Sequence, residues 1–171
     1  GGSLGAKPIN DLFPSAIKSI AKEQRPIVWH QAGPRHVDSV KNQYCDVEVE
    51  VTIEAFIEDM AAAYSWADVV VCRSGALTVA ELTAAGVASL LIPLPHAIDD
   101  HQTENARWLE HGGAGKLLAQ SKLTITGLAK DLIELGNDRE KVLKMSIAAR
   151  KLAKTDADQR VAEVCMEVAD D

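Results

Sequence analysis

Basic charge is scarce in this chain: 18 Lys and Arg stand against 25 Asp and Glu, a formal net charge of −7 at pH 7. A broad nucleic-acid surface needs a basic face to displace counterions, so that class is excluded and any phosphate site has to be local. Cysteine is sparse too. Cys45, Cys72 and Cys165 are odd in number, far apart and outside any CxxC or nearby His pair, which argues against a disulfide framework or a zinc centre and fits a reducing cytoplasm. No apolar run approaches the roughly 20 residues that span a bilayer. The chain opens on Gly-Gly-Ser-Leu-Gly-Ala rather than on a basic segment followed by an apolar one, so no signal peptide is read. Nor is there a GxGxxG fingerprint, which disfavours a nicotinamide dinucleotide. What remains is 171 residues, 47% hydrophobic and 25% charged, the make-up of a soluble globular protein with length for one domain and a sizeable core.

Short Val/Ile-rich runs alternate with longer amphipathic segments, the pattern of βα units in a parallel sheet, and the expected class is α/β with a Rossmann-like sheet flanked by helices. The runs predict strands over Pro26–His30, Val47–Ile53, Asp68–Cys72, Ala88–Ile92 and Gly115–Leu118. Helices are expected over Ile9–Lys22, Arg35–Tyr44, Met60–Trp66, Leu77–Ala85, Asp100–His111 and Thr124–Leu135, with Gly86 and Gly112-Gly113 as stop signals. From Asp138 onward the pattern reads as two helices broken near Thr155-Asp156, the second over Asp158–Val168. A phosphate loop normally follows a strand, yet Gly1-Gly2-Ser3-Leu4-Gly5-Ala6 runs straight into a helical pattern. The expectation is a single domain over 1–171 cut from a longer protein just after its own first strand.

The chemistry concentrates in the loops after the strands, where open α/β sheets bind ligands. In Asp68-Val69-Val70-Val71-Cys72-Arg73-Ser74-Gly75-Ala76-Leu77-Thr78-Val79-Ala80-Glu81 a buried strand meets a small-residue turn and then a helix, an arrangement whose unpaired N–H groups and positive dipole end suit phosphate. Glu81 falls about two turns into that helix, poorly placed for phosphate and well placed to accept hydrogen bonds from two sugar hydroxyls. A diphosphate beside a ribose is the implied ligand; the alternative makes Ser74 an ordinary N-cap, Gly75 a turn residue and Glu81 solvated.

Three further loops share this edge. In Gly1-Gly2-Ser3-Leu4-Gly5 the glycines, Gly2 among them, permit close backbone approach and the Ser3 hydroxyl can bond a phosphate. In Ala55-Phe56-Ile57-Glu58-Asp59-Met60 the backbone at Ile57 can pair with a base edge, while Phe56 and Met60 serve either as apolar walls or as core. The loop Pro93-Leu94-Pro95-His96-Ala97-Ile98-Asp99-Asp100 leads into a helix start that Asp99 or Asp100 is expected to cap, placing His101 and Gln102, with Asn105 beyond, near a bound sugar. Neither His96 nor His101 is taken as a general base. For metals the one Asp-x-Asp, Asp156-Ala157-Asp158, reads as a capping segment between helices, and no metal or cofactor is expected.

These loops in this order, through GGSLGA, IVWHQAG, FIEDMAAAYSWADVVVCRSGALTVAEL and AAGVASLLIPLPHAIDDHQTENA, resemble the C-terminal, donor-binding half of the MurG family of undecaprenyl-diphospho-muramoylpentapeptide N-acetylglucosaminyltransferases. The resemblance covers essentially the whole chain and implies the C-terminal domain of a GT-B glycosyltransferase. By resemblance, Ser3 contacts the diphosphate region and the Ile57 backbone reads uracil. Ala76, Leu77, Thr78, Val79 and Ala80 form the helix start at the nucleotide, and Glu81 holds the ribose hydroxyls. His101 and Gln102 stand where the family often has paired glutamines on the N-acetylglucosamine, and the histidine departs from that pattern. Arg73 lies beside the site with no assigned part.

The implied reaction is inverting transfer of N-acetylglucosamine from UDP-N-acetylglucosamine to the C4 hydroxyl of the lipid-linked muramoyl-pentapeptide, a step of peptidoglycan and cell-wall synthesis tied to cell shape and division. Helix dipoles and backbone N–H groups can take a metal's place in stabilising UDP. The acceptor site, the general base and the membrane contact belong by resemblance to an N-terminal half, so the chain alone is expected to carry no catalytic residue and no transferase activity. The complete protein would be cytoplasmic and peripheral on the inner membrane, with the last helix of 138–171 crossing to the other domain. Competing expectations are a soluble donor-binding subunit of a two-subunit N-acetylglucosaminyltransferase, a non-catalytic UDP-binding module that ignores the sugar, and a sugar-nucleotide epimerase, whose catalytic carboxylates and histidines find no place here.

Overall fold

The computed structural model describes residues 6–95, 100–154 and 165–166. Five short strands alternate with helices: α1 (Lys7–Ser19), β1 (Val28–Gln31), α2 (Val37–Tyr44), β2 (Val51–Glu54), α3 (Met60–Trp66), β3 (Val69–Cys72), α4 (Ala76–Ala85), β4 (Ala88–Leu91), α5 (His101–His111), β5 (Gly115–Leu117), α6 (Ile125–Asn137) and α7 (Arg139–Leu152). Every strand pairing is parallel, as βα connections require. β1 pairs with β2 from Val28 opposite Val51 to Gln31 opposite Glu54, and β4 lies between β3 and β5.

Side chains alternate between the two faces of the sheet, and each face is covered by its own helices. Val69 and Val71 of β3 with Ala88 and Leu90 of β4 join a core built on α1, α2 and α6. Val70 and Cys72 with Leu91 turn the other way, into a core closed by α4, α5 and α7. β4 is buried on both faces, which explains its unbroken Ala-Ser-Leu-Leu run.

The structure departs from the sequence reading in two places. One sheet was expected, whereas the described strands form two parallel ladders, β1–β2 and β3–β4–β5, with no hydrogen-bonded pairing of β1 to β3. A single apolar core nonetheless spans both, since Val28 of the first and Leu90 of the second meet in it. The strand expected over Val47–Ile53 is also shorter. Val47 donates to Tyr44 O in a turn off α2, and Val49 donates to Val47 O, so Val47 and Val49 reach the core from a turn and regular pairing starts at Val51. Their period-2 apolar pattern is that of a strand, but the backbone is held by the end of α2.

The stops behave as glycine permits. Gly86 ends α4 in the left-handed region at φ 70, its N–H reaching Leu82 O and Thr83 O. After α5, Gly112 faces Leu152 so closely that a Cβ would lie 2.5 Å from its Cδ1, and Gly113 turns at φ 72. α7 ends at Leu152, and the helix expected over Asp158–Val168 lies outside the described residues except Cys165 and Met166, which are helical.

Candidate functional site

The turn from β3 into α4 is the centre of the site. Gly75, at φ −62 and ψ 153, is the N-cap, and no side chain caps the first turn of α4. The Ser74 N-cap reading is therefore set aside. Ser74 is fully buried, its Oγ donates to Gln102 O at 2.7 Å, and its own carbonyl accepts from Asn105 Nδ2 at 3.0 Å. Ser74 and Asn105 thus weld the start of α4 to the start of α5. Along α4, Val79 is buried, whereas Ala76, Ala80 and Glu81 are exposed and Leu77 is 81% exposed, a large apolar side chain held in the open beside an uncapped helix start. Glu81 accepts a hydrogen bond at 2.8 Å from the hydroxyl of Tyr64 on α3.

The loop after β2 lies at the other end of α3. Asp59 caps that helix, its carboxylate accepting from Ala62 N at 2.8 Å, and Met60 begins it half-buried. Just ahead, the Ile57 N–H donates to Gln31 Oε1 at 3.1 Å, while the Ile57 side chain is buried. Phe56 belongs to no core and is 55% exposed. With Trp29, Glu54, Ile57, Glu58 and Asp59 it lines an open cleft of about 410 Å³. An aromatic wall within an acidic rim suits a neutral planar base and repels phosphate.

The loop after β4 is tied down by Arg73. Its guanidinium donates to Ile92 O at 3.0 Å, to Pro93 O at 2.8 Å and to Gln120 Oε1 at 2.7 Å, so Arg73 fixes the route of this loop. Gln102 Oε1 accepts from Leu94 N at 3.0 Å, which sets the direction of the carboxamide. Asp100 occupies the N-cap of α5 as expected, in the left-handed region at φ 52, but its carboxylate accepts from Thr103 Oγ1 at 2.6 Å and caps no backbone N–H. His101 begins α5 and is exposed. Gly2, Ser3, His96, Asp99, Asp156 and Asp158 lie outside the described residues.

The structure therefore joins the three described loops in pairs: the Ile57 loop to Glu81 through α3 and Tyr64, and the Ala76 helix start to Gln102 through Ser74. Gln31, Tyr64 and Arg73 were not assigned roles from sequence, because each bonds a residue 17 or more positions away, at a distance no local pattern encodes. Among the described residues no group of three His, Cys, Asp or Glu side chains could hold a metal ion. A second cleft, of about 270 Å³, opens where β5 begins and is lined by Gly113, Lys116, Asp131, Glu134 and Lys141. Two ion pairs cross it, Lys116 with Asp131 at 2.6 Å and Lys141 with Glu134 at 2.5 Å, and the Glu110 carboxylate beside them accepts from Leu117 N.

A parallel α/β domain covered on both faces by helices, with its loops gathered at the carboxyl ends of the strands, is a Rossmann-like domain of the kind that binds nucleotides at that edge. Residues 1–161 match the glycosyltransferase family 28 C-terminal domain. The chain is 51% identical, over 99% of its length and 48% of the relative's, to the UDP-N-acetylglucosamine–N-acetylmuramyl-(pentapeptide) pyrophosphoryl-undecaprenol N-acetylglucosamine transferase of Stutzerimonas stutzeri. To the protein of the same name in Azotobacter vinelandii it is 53% identical over the same shares. Among solved structures it is similar to Acinetobacter baumannii MurG, with a TM-score of 0.89 and 42% identity, covering 98% of this chain and 50% of that one. The chain belongs to glycosyltransferase family 28, as its C-terminal domain. It spans about half the length of the curated relatives it matches.

Proposed function

We propose that this domain binds UDP-N-acetylglucosamine and is the donor half of an inverting N-acetylglucosaminyltransferase acting on a lipid-linked muramoyl-pentapeptide in peptidoglycan synthesis. The names of its relatives support that donor and acceptor. The observation that carries the reading is the uncapped start of α4 with Glu81 held two turns along it. Diphosphate sits at the N–H groups of Ala76, Leu77 and Thr78, where the helix dipole favours negative charge. Ser3 adds a hydroxyl from the first loop. Glu81 accepts from the ribose hydroxyls through its remaining carboxylate capacity.

Uracil lies in the Phe56–Trp29 cleft, away from the phosphates. The Ile57 N–H now donates to a carboxamide oxygen, that of Gln31, and a uracil carbonyl offers the same kind of acceptor in its place. Gln102, directed by Leu94, and His101 reach the hydroxyls of the N-acetylglucosamine. In the transfer, the acceptor C4 oxygen bonds to the anomeric carbon from the face opposite UDP. The bond from that carbon to the diphosphate breaks, its electron pair leaving with UDP, and the acceptor proton goes to a base outside this chain. This domain's share is to position the donor and to stabilise the charge that grows on UDP.

The acceptor domain, a first strand and the membrane-facing surface come, in this proposal, from chain ahead of residue 1. The two ladders support the strand: among the described residues β1 pairs only with β2 and β3 only with β4, leaving an edge of each for one parallel strand over the shared core. The complete protein is then peripheral on the cytoplasmic face of the membrane; no helix among the described residues is long and apolar enough to cross one.

Calorimetric titration with UDP, compared with the Glu81→Ala variant, tests the site. UDP is expected to bind, and loss of the ribose hydrogen bonds to a charged acceptor should weaken it about tenfold or more. Equal affinities in the two proteins would remove Glu81 from the site.

A further inference from the structure

Glu81 is exposed and lies on a helix face, where an unsupported carboxylate samples several rotamers and loses that freedom on binding. Its one described partner is Tyr64. The Tyr64 ring is partly buried against the core that contains Cys72, Val79 and Leu82, so only two torsions place the hydroxyl and packing fixes them. The hydroxyl donates to Glu81 Oε2 at 2.8 Å, a charge-assisted bond between α3 and α4. Burial, and then the bond to Glu81, push the Tyr64 hydroxyl well above the usual tyrosine range, so it stays a donor at any working pH. α3 also begins at Asp59, two residues after Ile57, and Asp59 caps it. One short helix thereby carries the base-reading loop at its start and the support of Glu81 one turn later.

We infer that Tyr64 is a positioning residue for nucleotide recognition: it holds one carboxylate oxygen of Glu81 so that the other meets the ribose 2′-hydroxyl, and so sets how strongly the site prefers a ribonucleotide to a 2′-deoxyribonucleotide. The inference rests on the ribose role proposed for Glu81. It adds that the preference depends on a residue that never touches the sugar.

The test is titration of the 171-residue chain with UDP and with 2′-deoxyuridine diphosphate, in the unsubstituted protein, Tyr64→Phe, Glu81→Ala and the double variant. Tyr64→Phe keeps the ring in its core and removes only the hydroxyl. The unsubstituted chain should prefer UDP by about tenfold, the value of a hydrogen bond to a charged group. Tyr64→Phe should reduce the preference to about threefold, mainly by weakening UDP binding, and should change nothing once Glu81 is alanine. Tyr64→Phe with the full preference, while Glu81→Ala abolishes it, overturns the inference alone. So does an equal loss for both nucleotides, which would mean that Tyr64 merely supports the fold. An unsubstituted chain that shows no preference, or fails to bind UDP, overturns the ribose reading of Glu81 and this inference with it.

Discussion

His30 shows how much a single residue can report about this fold. It is buried on β1, with Nδ1 at 3.2 Å from Tyr44 Oη and Nε2 at 3.1 Å from Asn10 Oδ1, while Asn10 Nδ2 donates to Ala32 O at 2.7 Å. Because Asn10 presents its oxygen, the neutral ring carries its proton on Nε2 and accepts from Tyr44. Burial holds its pKa down at about 4, against an ordinary 6.5. Between those values the unfolded chain binds a proton that the folded chain refuses. Stability from this group is therefore complete above pH 6.5, falls as pH drops towards 4, and changes no further below that. The full effect is about 3 kcal/mol. Urea unfolding between pH 7 and pH 4.5 should show a steeper loss in the unsubstituted chain than in His30→Gln, and parallel pH slopes would contradict the account. Nothing in Ile27-Val28-Trp29-His30-Gln31 announced this, since a histidine at a strand end reads alike whether buried or solvated. The same holds for Tyr64 and Gln31, whose hydrogen bonds go to partners far along the chain.

At the scale of elements the sequence is far more legible. All five described strands and all seven described α-helices fall within a few residues of where hydrophobic period and stop signals place them, because burial of one face selects both period and length. Where the reading slipped, backbone hydrogen bonding was the cause: Val47 and Val49 are core residues on a turn held by the end of α2. The end of α4 was read correctly from Gly86, and it carries a prediction. A Cβ there would sit in the left-handed region and 3.2 Å from Arg150 Cβ on α7. Gly86→Ala should cost about 1–2 kcal/mol, a fall of several degrees in melting temperature. An unchanged melting temperature would mean that α4 ends without needing this conformation. The expected effect on UDP affinity is small, because Gly86 lies at the far end of α4 from the candidate site.

At the scale of the whole molecule, family membership and fold were both within reach of the sequence, since the resemblance ran through every loop at the carboxyl ends of the strands. The division of the strands into two ladders was not. Each run reads as an ordinary parallel strand, and which edges stay unpaired depends on neighbours that the run does not specify. The two clefts could not be ranked from sequence either; chemistry separates them. One combines an aromatic wall with the backbone N–H of Ile57, and the other is crossed by two ion pairs. The central claim is that the donor binds at the carboxyl ends of the strands. Backbone amide NMR of the chain titrated with UDP-N-acetylglucosamine tests this most directly. The account predicts perturbation at Ile57, at Ala76 through Glu81 and at Gln102, with the amides of Lys116, Asp131 and Glu134 unmoved. Perturbation centred on Lys116 and Asp131, or none at saturating donor, would contradict it.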